Sequence, residues 1–255
     1  MPTPKNSEKT TAESRKSAVF GRIHLVVAFF ALSALFLLAF AFDEVVTTHL
    51  TNWPETERAF FAALARIGES DWMLIPTLLV WAICRLAVYL PLRYSIRWIV
   101  RATGAMSGFI FLAVAVPGAI AALLKVAIGR ARPMLMDDLG IFHFTPFAGD
   151  WRFAGFPSGH ATTAFALACA LYFLFGPRVL IVFIGAALLA LSRIVDGVHY
   201  FTDVVAGIAL GSFGAMWVQS KFQQRGWIFS SDKKRGSNRM LAPYRRFFRK
   251  PLQRN

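Results

Sequence analysis

Apolar residues in this chain gather into six runs, Ile23–Phe42, Met73–Pro91, Thr103–Ile128, Gly159–Gly176, Val179–Val195 and Tyr200–Val218. A helix made from the first would be about 30 Å long, the thickness of a bilayer core. The third is long enough to cross with tilt. The pattern predicts an all-α integral membrane protein with six transmembrane helices. It divides the chain into a polar segment 1–22, a six-span domain 23–218 and a tail 219–255. No repeat of 20–50 residues is visible. Ala39-Phe40-Ala41 fits a small-x-small cleavage pattern, but the apolar run before it is longer than a signal peptide's, so a retained span is expected. Between the first two runs, Pro54, Glu55 and Glu57 mark a helix start. Phe60, Phe61, Leu64 and Ile67 then share one face, so this short helix lies in the outer interface or packs on protein.

Composition agrees. Hydrophobic residues make up 56% of the chain and charged residues 16%, which excludes overall disorder and an ordinary soluble enzyme. The net charge of +14 would suggest a nucleic-acid partner in a soluble chain. Here 20 of the 28 Lys and Arg fall in segments 1–22, 91–102, 177–178 and 219–255, all on one side if the runs alternate. The positive-inside rule then places both termini in the cytoplasm. The tail's basic residues, interspersed with Trp227, Phe247 and Phe248, suit anionic lipid better than nucleic acid. Cys84 and Cys169 both sit in apolar runs and read as small packing residues.

Three charged clusters remain, and the alternation puts all three at the outer face. Lys125 and Arg132 are seven apart, two turns of a helix that Pro133 should stop, and two cations on one face suggest an anion site. Snorkelling at the interface explains the same pair taken alone. Ser158-Gly159-His160 opens the fourth run, where free helix amides, a hydroxyl and a close-approach glycine suit an anion. His160 there could donate a proton, or Ser158 could merely cap the helix. In the third cluster His199 and Asp203 stand i, i+4 on a helix, the spacing at which a carboxylate fixes an imidazole tautomer and makes a nucleophile, with Arg193 adding a forked cation. A structural His–Asp pair is the plainer alternative.

Read in order, Lys125-x6-Arg132-Pro133, Pro157-Ser158-Gly159-His160 and Ser192-Arg193-x5-His199-x3-Asp203 resemble the type-2 phosphatidic acid phosphatase (PAP2) family, whose site is shared with vanadium-dependent haloperoxidases. No signature position departs, and the resemblance covers about residues 100–215. It implies a haloperoxidase-like helical core in which Lys125, Arg132, Ser158, Gly159 and Arg193 bind phosphate. His199 would attack phosphorus and form a phosphohistidine, and Asp203 would orient it. His160 would protonate the leaving oxygen and then activate water. No metal and no cofactor are implied, since three cations and helix amides already neutralise the phosphoryl group.

The expectation is therefore a lipid phosphate phosphatase of a bacterial inner membrane, with its site on the outer side. Its substrate would be an isoprenyl diphosphate, a phosphatidyl phosphate or a lipid A-type phosphate. A phosphotransferase using the same site is the nearest rival. A non-catalytic lipid-binding protein would leave both histidines and Asp203 without use. Arg130 and Arg152 could touch a second phosphate or a headgroup, or could be interfacial charges. His143 reads as a surface residue. Gly207 and Gly211 allow a close helix approach, within this chain rather than between copies.

Overall fold

The computed structural model describes residue 34 and residues 40–50, 52–67 and 70–229. The segment 1–22, most of the first apolar run and the tail beyond 229 lie outside the described residues. Residues 1–42 form one unit and residues 43–255 a second, and the fold below is that of the second.

Among the described residues of this unit the structure is helical, without strands. Helix α1 runs through 43–50, followed by α2 (Glu55–Ile67), α3 (Asp71–Ala87), α4 (Tyr94–Ile128), a short α5 (Met136–Leu139), α6 (Gly159–Phe175), α7 (Ile181–Val195) and α8 (Phe201–Gln224). Three stretches are long and apolar enough to cross a membrane: Tyr94–Ile128, Gly159–Val179 and Phe201–Gln224, with Ile181–Val195 a shorter apolar helix. The protein is thus an all-helical membrane protein with three such spans among the described residues. Helix α4 begins earlier than its apolar run, taking in Arg97 and Arg101, because nothing between Tyr94 and Thr103 breaks a helix.

Helices α4, α6 and α8 pack on one another around Phe109, Val114, Leu174, Val218 and Phe222. The Phe109 ring meets the Phe222 ring edge-on at 5.2 Å. Lipid tails are as apolar as leucine, so close approach rather than water exclusion holds such a bundle together. Helix α8 shows how. A Cβ placed on Gly207 would stand 2.5 Å from the Ser158 carbonyl oxygen, and one on Gly211 would stand 2.1 Å from that of Thr162. The Gly-x-x-x-Gly pair therefore lets α8 lie against the backbone of α6 inside one chain. Helix α2 packs against α7, with Ala65 buried and Phe60 63% exposed, so the packed alternative holds for its inner face.

Candidate active site

The first cluster is not one helix. Helix α4 ends at Ile128, and Gly129 takes φ 63°, the left-handed conformation that closes many helices. A Cβ there would fall 1.9 Å from the Thr145 oxygen, so glycine is required by space as well as by φ. Pro133 does not stop α4; it opens a 3-10 turn, Pro133–Leu135, downstream of the break. Lys125 therefore sits in the last turn of α4, while Arg132 sits on an extended segment. That segment is held by backbone bonds from Ala131 N to His143 O and from Arg132 N to Arg152 O, both 2.9 Å. Convergence comes from this loop, not from helical periodicity.

Ser158 precedes the first residue of α6. It is buried, its side chain makes no cap, and its Oγ has no hydrogen-bond partner among the described residues. The hydroxyl and the first-turn amides of α6 remain as donors at the positive end of the helix dipole. The backbone N–H of Ser158 donates to the Asp203 carbonyl at 2.9 Å, which ties the start of α6 to the start of α8. Lys125 reaches the same place: a Cβ on Gly159 would stand 3.8 Å from Lys125 Nζ.

Helix α7 ends at Val195, and the chain turns through Gly197 at φ 67°. The N–H groups of Val198 and His199 both donate to the Arg193 carbonyl at 3.2 Å. His199 is therefore not on a helix: α8 begins at Phe201, with Tyr200 as its N-cap. The pair meets because the turn brings His199 back over the first turn of α8. His199 is 2% exposed, and its Nδ1 stands 3.6 Å from Asp203 Oδ2. This is slightly long for a hydrogen bond, and catalytic contacts commonly tighten only when substrate binds. Asp203 Oδ2 also accepts the Tyr200 N–H at 2.8 Å.

The electrostatics are those of an anion site. Burial, and after it the positive Arg193, hold the Arg132 guanidinium below its ordinary value, while Asp203 opposes this. Burial pushes the His199 imidazole down to about 4; Asp203 resists, and Lys125 and Arg132 add to the lowering. His199 is thus a neutral base at pH 7, with cations around it. Arg193, His199, Lys125 and Arg132 all lie close enough to His160 to act on it electrostatically. Arg193 NH1 also meets Asp196 Oδ2 at 3.4 Å. A cavity of about 420 Å³ adjoins the cluster, reaching from Lys125, Gly159 and His160 to Leu74, Ala115 and Gly118.

All eight residues singled out by the sequence, Lys125, Arg132, Ser158, Gly159, His160, Arg193, His199 and Asp203, thus fall at the adjoining ends of α4, α6, α7 and α8. The two additional arginines take different surroundings. Arg130 is fully buried, donating from NH1 to Asp203 Oδ1 at 2.6 Å and from NH2 to Asp43 Oδ2 at 2.7 Å. Arg152 pairs with Asp150 at 2.7 Å in the loop. His143 is half-buried, with Nε2 3.1 Å from Thr145 Oγ1. Asp43 was not singled out by sequence; the available signal was an acid at the end of an apolar run, a costly position.

The chain and its fold resemble known proteins. The sequence model of the PAP2 superfamily matches residues 107–227. The chain is 33% identical over 210 residues to a lipid A 1-phosphatase of Rhizobium johnstonii, covering 79% of this chain and 82% of that one. It is 32% identical over 209 residues to a lipid A 1-phosphatase of Rhizobium etli, covering 79% of this chain and 86% of the relative. The structure resembles that of a transmembrane PAP2-type phosphatidylglycerolphosphate phosphatase from Bacillus subtilis. The TM-score is 0.53 at 21% identity, over 76% of this chain and 95% of the other.

Proposed function

The chain belongs to the PAP2 superfamily and is a membrane phosphatase, and from that premise we propose that it removes the phosphate of a lipid A-type glycolipid, most specifically a 1-phosphate, at the outer face of the membrane. The observation that carries the chemistry is His199, buried, neutral and 3.6 Å from Asp203 amid Lys125, Arg132 and Arg193. The glycolipid choice rests on the two Rhizobium relatives, each matched over most of its length.

In the proposed reaction the phosphate lies against the first-turn amides of α6, between Lys125, Arg132 and Arg193. Asp203 holds the proton on His199 Nδ1, which leaves the Nε2 lone pair for attack. The N–P bond forms as the P–O bond to the lipid breaks. The bonding pair goes to the leaving oxygen, which takes a proton from His160. His160, now neutral, accepts a proton from water as the water oxygen attacks phosphorus. The N–P bond breaks, its pair returns to His199 and inorganic phosphate leaves. The cations and amides offset charge on the phosphoryl oxygens throughout. The cavity beside His160 is walled by small α4 residues such as Ala115 and Gly118, which leaves room for the apolar part of a lipid.

The outer-face assignment is supported by the charge bias. Segment 91–102 and the tail from 219 carry many of the basic residues, while the site lies at the opposite end of α4. Both termini are then cytoplasmic, and the protein sits in a bacterial inner membrane. Phosphate release from purified lipid A phosphates, isoprenyl diphosphates and phosphatidyl phosphates, with His199→Ala protein as control, tests the proposal. Faster release from lipid A 1-phosphate supports it. Equal activity on lipid A carrying only a distal phosphate would remove the 1-phosphate assignment.

A further inference from the structure

We propose that Asp43 and Arg130, neither of them a signature position, are positioning residues for His199, acting through Asp203. The inference rests on the reading of His199 as the nucleophile.

The arrangement is a closed ring of buried polar groups. Arg130 NH1 donates to Asp203 Oδ1 and to Thr202 Oγ1, both at 2.6 Å. Its NH2 donates to Asp43 Oδ2 at 2.7 Å and to the Ile141 carbonyl at 3.1 Å. The Thr202 hydroxyl donates to Asp43 Oδ2 at 2.6 Å, and the Thr202 N–H donates to Asp43 Oδ1 at 2.8 Å. Arg130, Asp43, Thr202 and Asp203 are all 0% exposed. The Arg130 guanidinium also lies over the Tyr200 ring, 4.3 Å from its centroid.

Two consequences follow for the imidazole. The first is geometric. Asp203 has two oxygens; Arg130 holds one, so the other is directed to His199 and the Tyr200 N–H. Asp43 in turn fixes Arg130 and the first turn of α8. The second is charge. Two carboxylates share one guanidinium, so the buried ring carries one net negative charge. A histidine phosphorylated on Nε2 while Nδ1 keeps its proton carries a positive charge on its imidazole ring. The excess negative charge offsets it at the moment it forms. If Asp43 were neutral, Arg130 would cancel Asp203 and the excess would vanish. An ion pair this deep is weak evidence of added stability, since burial costs both partners their hydration. Its placement against the nucleophile's partner gives it another use.

The test is Asp43→Asn in full-length protein, which changes charge with little change of shape. Vanadate binding counts folded sites. Single-turnover labelling with a phosphorus-labelled lipid phosphate gives the rate of intermediate formation per site. The expected result is a fall in labelling rate and kcat of about 10- to 100-fold, taken by analogy from groups that orient metal-ligating histidines. KM and vanadate affinity should stay within roughly threefold, as for a step lost only in the transition state. If Asp43→Asn yields no vanadate-binding protein, Arg130→Lys decides, because an ammonium keeps the charge but cannot fork between Asp43 and Asp203. A lower rate per binding site in that variant supports the inference. Wild-type rate per binding site in the deciding variant overturns it, because a merely structural pair changes the number of sites and not their speed. His199→Ala is labelled in parallel. Label on that protein would sink the nucleophile and this inference with it. No label there, together with unimpaired Asp43→Asn, would sink the positioning role alone.

Discussion

Arg130 and Arg132 lie two residues apart on one extended segment and face opposite tasks. Arg130 is fully buried and ion-paired with Asp43 and Asp203, whereas Arg132 is half-buried, with Arg193 close enough to depress it. Backbone bonds from Ala131 N to His143 O and from Arg132 N to Arg152 O hold this segment on both sides of the chain.

The two arginines should therefore fail differently. Arg130→Met leaves Asp43 and Asp203 buried without their cation and should destabilise the fold by roughly 3–5 kcal/mol. Arg132→Met relieves repulsion with Arg193, so stability should hold or rise while kcat/KM falls by about 10²–10³. Thermal unfolding in detergent and steady-state kinetics on both variants measure the two effects. Equal loss of stability in both would contradict the division.

Much of the site was legible in the sequence because its residues cluster in three short blocks, each at the end of an apolar run. What periodicity could not convey was how the blocks are joined. Lys125 and Arg132 looked helical because no proline separates them, yet a left-handed Gly129 pressed on Thr145 ends α4 between them. His199 and Asp203 have helical spacing, but the N-cap falls at Tyr200. Asp43 stands 87 positions from Arg130, and no local pattern links a lone acid to a distant arginine. Arg130 is hidden for the matching reason: between Lys125 and Arg132 it reads as a contact to a second phosphate or headgroup, or as an interfacial charge, until its partners Asp43 and Asp203 are known.

The acid side of the pH profile follows from His199. Its folded value near 4 lies below the ordinary 6.5, so the unfolded chain takes up the proton first. The stability His199 contributes is complete above about 6.5 and is lost as pH falls towards 4. The same neutral base is the attacking form. After correction for the substrate's own phosphate ionisation near pH ~6, kcat/KM should show no acid limb from His199 between about pH 5.5 and 7. A residual acid limb at 6.5, removed by no substrate correction, would mean that His199 is not held neutral.

The cavity beside His160 makes a separable claim. A Cβ on Gly118 meets only Thr163 Cγ2, at 3.6 Å, so a larger side chain fits the helix and grows into the open volume. Gly118→Leu should raise KM for a long-chain lipid phosphate about tenfold, the loss of a little over 1 kcal/mol of binding. Its activity on a short, water-soluble phosphate ester should be unchanged. Equal effects on both substrates would show that the cavity takes no part in lipid binding.

The account turns on His199 as the atom that carries phosphorus. The direct measurement is acid-labile label after rapid mixing with a substrate whose leaving group needs no proton, in His160→Ala and His199→Ala proteins. Without His160 the first step still proceeds, but water lacks its base, so labelled protein should accumulate and decay slowly. Without His199 no label should appear at any time. Label on the His199→Ala protein, or none on the His160→Ala protein with phosphate still released, would contradict the assignment.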